Sequence, residues 1–118
     1  MMPTFLSILG RAVGSSLMKA ALEEIEGSEP IERLDSSLKV ILSRFMNITS
    51  TIQRAGEGVI LETRSTCPVH AIYPAWCEEA CLPMAEAMAK QVDPNFKVER
   101  IQRRPSAQEC VFRFYLRP

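Results

Sequence analysis

The spacing of apolar residues changes period partway along this chain, and that change limits the fold more than any other feature. Ile31, Leu34, Leu38, Ile41, Phe45, Ile48 and Ile52 step by three and four, with Leu42 widening the stripe, and predict one long amphipathic helix. Before it, Leu6, Leu9, Val13, Leu17 and Ala20 show the same spacing and predict a first helix from about Phe5 to Ile25. Gly10 and Gly14 lie four apart on one face of that helix and leave room for another backbone to approach. Gly27 suits a C-terminal cap and Ser28 an N-cap. Two long helices joined by so short a turn are expected to fold back as a hairpin over about residues 4–54.

Beyond Ala55-Gly56-Glu57-Gly58 the period becomes two. Val59 to Ser65 reads as a strand with Val59, Leu61, Thr63, Ser65 and Cys67 on one face. A loop from Cys67 to Pro74 follows, then a third helix with Pro74 in its first turn. Pro83 predicts a kink, or a break with a new helix starting there. Phe96 to Arg103 and Glu109 to Arg117 form a hairpin, with Cys110, Phe112, Phe114 and Leu116 facing one way. The expected architecture is α+β: one domain, residues 1–118, with a helical hairpin and then a βαββ unit over about residues 57–117, its three strands in a small antiparallel sheet.

The chain has enough apolar residues, 47%, for a sizeable core. Fourteen basic and fourteen acidic residues cancel, which argues against a nucleic-acid binder. Arg100, Arg103 and Arg104 read as a solvated strand end. Arg11 and Lys19 interrupt the apolar stretch Phe5 to Leu22, so neither a membrane span nor a signal peptide is expected. The reading is a soluble, cytoplasmic protein, whose thiols stay reduced.

Cysteine placement carries the chemistry. Three of the four cysteines, Cys67, Cys77 and Cys81, fall within fifteen residues, and the only histidine, His70, follows Cys67 by three. Thiolates and imidazole are zinc ligands, and Cys67, Cys77, Cys81, Cys110 and His70 are the candidate set. Buried cysteine also behaves as a small hydrophobe, which suits Cys110 between apolar neighbours. A third reading is catalytic, with Cys67 or Cys77 as nucleophile, His70 as base and Glu78 or Glu79 orienting it. Tyr73 and Trp76 either line a pocket or plug the core.

A strand ending in Cys67-Pro68, a helix bearing Cys77 or Cys81, and a last strand beginning Cys110-Val111-Phe112-Arg113-Phe114 resemble the 4-vinyl reductase domain family. That family includes the methanogen output domain and the L-2-amino-thiazoline-4-carboxylate hydrolase-like proteins. The resemblance covers roughly Gly58 to Leu116. It implies a domain that binds a small hydrophobic ligand or senses one, with a cysteine-based zinc site and with Tyr73, Trp76, Phe112 and Phe114 against the ligand. Two departures stand out: Cys81-Leu82-Pro83-Met84-Ala85 replaces a glycine-bearing helix, and Ser106-Ala107-Gln108-Glu109 replaces the usual turn.

The function expected is small-molecule binding or sensing without catalysis. The alternatives are a cysteine-dependent hydrolase of a small cyclic amide or thiazoline, and a structural dimerisation adaptor. A homodimer is expected through the N-terminal helices, because the second helix carries more apolar surface than three strands can cover.

Overall fold

The computed structural model describes residues 5–25, 29–56, 58–66, 68–102 and 109–116, without the side chains of Ala55, Val69 and His70. The elements run α1 (Phe5–Leu22), α2 (Pro30–Leu42), β1 (Ile48–Ala55), β2 (Gly58–Ser65), α3 (Val69–Ile72), α4 (Pro74–Glu79), α5 (Cys81–Val92), β3 (Lys97–Gln102) and β4 (Cys110–Leu116). The α+β class stands, with all four strands in one antiparallel sheet ordered β1-β2-β4-β3.

One expectation is corrected. The second helix stops at Leu42, and Ile48–Ala55 is a strand paired with β2 from Ile48↔Ser65 to Ala55↔Gly58. Phe45, Ile48 and Ile52 fit a helical spacing, but Ile48, Thr49, Thr51 and Ile52 are β-branched and prefer a pleated surface. Gly56 turns the chain into β2 at φ 58°, a left-handed conformation that favours glycine. The sheet therefore has four strands, not three, and the helical segment is shorter than residues 4–54. At the start of α2 the N-cap is Glu29, with Pro30 in the first turn; Gly27 and Ser28 lie outside the described residues.

The stretch expected to be a loop from Cys67 to Pro74 carries a short helix, α3. The expected third helix is divided into α4 and α5, with the break at Ala80, three residues before Pro83. Proline has no N–H to donate to the carbonyl four residues back, and its ring collides with that carbonyl. Breaking at Ala80 puts Pro83 in the first turn of α5, where a missing N–H leaves nothing unsatisfied.

On the inner sheet face, Val59, Leu61, Thr63 and Ser65 of β2 stand opposite Leu116, Phe114, Phe112 and Cys110 of β4. Helices α2 and α5 pack on the sheet, and α1 packs chiefly on α5. The core between these layers includes Met18, Leu34, Leu61, Met88, Phe96 and Phe114, each at most 2% exposed. The stripe expected to bury α1 is not the face it uses: Leu9 and Leu17 are exposed, and Gly10, Gly14, Met18 and Ala21 are buried. A β-carbon on Gly10 would lie 2.6 Å from the Ala80 carbonyl oxygen, and one on Gly14 would lie 2.5 Å from that of Met84. The close approach expected of this glycine pair is made within the chain. By length and composition α1 is apolar enough to cross a membrane, but it is packed here on other helices.

Candidate functional site

A cavity of about 80 Å³ opens between the helices and the inner face of the sheet. Each wall follows from a local periodicity. Cys81, Met84, Ala85 and Met88 recur at three and four along α5, so one face of that helix lines it. Leu38 and Leu42 of α2 close a second side, continued by Met46 and Ile48 where the chain enters β1. From the sheet, alternation turns Thr63 and Ser65 of β2 and Cys110, Phe112 and Phe114 of β4 inward. Trp76 of α4 completes the lining.

The chemistry of this wall is apolar with one polar corner. Ser65 pairs with Cys110 and Thr63 with Phe112 across neighbouring strands, so two hydroxyls and a thiol sit together. Next to this corner Phe112, opposite Thr63, stacks on Phe114, with ring centroids 6.4 Å apart and planes at 30°. No carboxylate, imidazole, ammonium or guanidinium group belongs to the wall among the described residues. Such a surface suits an uncharged molecule.

The expected ligand-contacting residues divide. Trp76, Phe112 and Phe114 line the cavity, whereas Tyr73 does not and is half exposed. The expected metal ligands divide too. Cys81 and Cys110 lie on the cavity wall; Cys77 is buried elsewhere, beyond the break at Ala80. Cys67 and the side chain of His70 lie outside the described residues. Among the described residues, no three cysteine, histidine, aspartate or glutamate side chains come together to hold a metal ion. Cys77 ends up in α4 and Cys81 at the start of α5, on either side of the break at Ala80. For the catalytic alternative, Cys77 is not at the cavity and Glu78 is exposed.

Arg100 has a structural task. Its guanidinium donates a 2.8 Å hydrogen bond to the Cys77 carbonyl, one of the acceptors left over in the last turn of α4. Arg103 and Arg104 lie outside the described residues. On the outer face, the Arg113 guanidinium donates to Glu62 at 2.9 Å and, with Arg64 nearby, holds that carboxyl below its ordinary 4.5.

Sequence reasoning placed Thr63 and Ser65 on the inward face but assigned them no part in a site. The signal was available, since two hydroxyls on an otherwise apolar strand face need a reason. The contribution of Leu38, Leu42 and Ile48 was hidden by reading them into one long helix. Comparison with protein-family models, with curated proteins and with solved structures finds no match for this chain.

Proposed function

We propose that this chain is a small-molecule-binding domain that takes an uncharged, mainly apolar ligand into the cavity between helices and sheet. The observation that carries the reading is the wall itself: apolar on nearly every side, with Ser65, Thr63 and Cys110 gathered at one corner. A core packed to ordinary density leaves few voids larger than a water molecule. On a measure in which one water occupies roughly 10–15 Å³, 80 Å³ holds several non-hydrogen atoms of a ligand. The 4-vinyl reductase resemblance implies the same class of function, and a cytoplasmic setting suits the reduced Cys77 and Cys110.

Trp76 is the only tryptophan and lines the cavity, so its fluorescence reports occupancy directly. The experiment titrates the protein with small neutral probes such as naphthalene, phenol and hexanol. Saturable change in Trp76 emission is expected at micromolar to submillimolar naphthalene, and it should weaken in an Ala85→Leu variant that keeps its circular dichroism. Purely linear quenching by every probe, unchanged in that variant, would rule out the cavity as a binding site.

A further inference from the structure

We infer that β1 is a docking edge for a second copy of this chain, joining two sheets into one continuous eight-stranded sheet. The sheet order leaves β1 and β3 at the two edges. Edge strands carry a row of unpaired N–H and C=O groups, and proteins protect them with charges, bulges or proline. β3 is protected in two of these ways: Lys97, Glu99 and Arg100 fall within it, and its register slips between Arg100 and Gln102.

β1 has no comparable defence. Its eight residues pair with β2 in unbroken register, with no bulge and no proline. From Ile48 to Gln53 it carries no charge, and the single charged residue, Arg54, is held by Glu29 of the same chain at 2.7 Å. No side chain described on the strand is buried; Ile52, on the helix-facing side opposite Leu61, is 37% exposed. Among the described residues, no backbone group hydrogen-bonds to its outer edge. A long, neutral, β-branched edge of this kind is a template for strand addition.

Self-complementarity selects a second copy as the occupant. Two identical strands pair antiparallel about a two-fold axis perpendicular to the sheet, which keeps both helix layers on one side. Centring the axis at Ile52 sets that isoleucine against its own copy and Thr51 against Gln53, with Ser50 against Arg54. No like charges meet in this register, and the exposed isoleucine is covered. A pairing of this length adds roughly one backbone hydrogen bond per paired residue. Helix α2 lies over the same edge, through the Ser50 hydroxyl donating to Asp35 at 2.6 Å, so the two copies of α2 become neighbours. This interface differs from one built on the apolar stripe of the second helix. That stripe, Ile31, Leu34, Leu38 and Ile41, is already buried within the chain.

Light scattering during size-exclusion chromatography tests the assignment. Wild-type protein at about 50 µM should run at twice 13.3 kDa. Ile52→Lys places two ammonium groups face to face at the axis and should weaken association at least tenfold, with unchanged circular dichroism. Ile52→Cys should give a covalent dimer under mild oxidation that wild-type protein does not give, a readout independent of the lysine variant's folding. Leu9→Lys, on the exposed side of α1, should leave the mass unchanged. A wild-type monomer at that concentration would overturn the assignment. So would a dimer that withstands Ile52→Lys and yields no cross-link through Ile52→Cys, or one abolished by Leu9→Lys.

Discussion

Gly14→Ala separates two opposing effects by sign. Alanine is the better helix former by about 1 kcal/mol in a helix interior, so on an open face the change would stabilise the protein. Gly14 is not on an open face. The added carbon would stand 2.5 Å from the Met84 carbonyl oxygen, 3.0 Å from the Met84 Cγ and 3.1 Å from the Met88 Cγ. The methionine carbons can rotate aside, but the carbonyl is backbone inside α5 and moves only with the helix. Relief of about 0.9 Å is needed to reach ordinary contact at 3.4 Å. Separating α1 from α5 by that amount loosens the most extensive helix contact in the molecule.

Overpacking of this kind costs about 1–3 kcal/mol, which offsets the propensity gain and leaves a net loss of up to about 2 kcal/mol. Gly10→Ala, meeting the Ala80 carbonyl at 2.6 Å, should behave alike. The double variant should lose less than the sum, because one displacement of α1 relieves both contacts. Urea unfolding followed by helical ellipticity and by Trp76 emission gives the free energies, with Ser16→Ala on the exposed face as the propensity control. Stabilisation by Gly14→Ala of about 1 kcal/mol, matching the control in sign, would refute the close packing of α1 on α5.

Three further outcomes are expected. Ser37 is fully buried in α2 with its hydroxyl unpartnered, so Ser37→Ala should raise stability by about 1 kcal/mol, measured by urea midpoint; a loss of that size would show that the hydroxyl has a partner. Arg100→Ala removes the guanidinium from the Cys77 carbonyl and should lower stability by about 1 kcal/mol, with faster hydrogen exchange confined to the end of α4; uniform exchange throughout would argue against a local cap. Glu62 is held below its ordinary 4.5, so its contribution is full above that value and is lost as pH falls through the lower folded value. The stability gap between wild type and Glu62→Gln should therefore close on acidification below about pH 4.5, and a gap that stays constant to pH 3 would contradict the pairing.

How much of this was legible in the sequence depended on whether one period excluded the other. The β4 residues Cys110, Phe112 and Phe114 alternate over a span too short and too regular for a helix, and their facing was read correctly. Phe45, Ile48 and Ile52 satisfy a helical spacing, while Ile48, Ser50 and Ile52 also lie on one face of a strand. Only side-chain shape could decide there, through the β-branched run Ile48-Thr49 and Thr51-Ile52 and the following Gly56. The stripe on α1 misled for another reason: close helix packing is chosen by small residues, so Gly10 and Gly14 outranked Leu9 and Leu17 for the buried face. That choice depends on a partner backbone distant in sequence, which periodicity does not contain.

The placement of Cys77 and Cys81 shows the same limit. Spacing of four stacks two side chains only if the helix between them is continuous. Pro83 prevents continuity by excluding its own N–H and crowding the carbonyl of Glu79, and the chain responds at Ala80. Cys77 then belongs to a helix whose carbonyl end is tied to β3 through Arg100, while Cys81 opens the helix that carries Met84, Ala85 and Met88 along the cavity. The break itself is clasped from outside, since Gly10 brings α1 onto Ala80, and Gly14 brings it onto Met84 one turn later. One wall of the cavity is thus set by a proline and two glycines that do not line it, and the thiols take their places from that backbone.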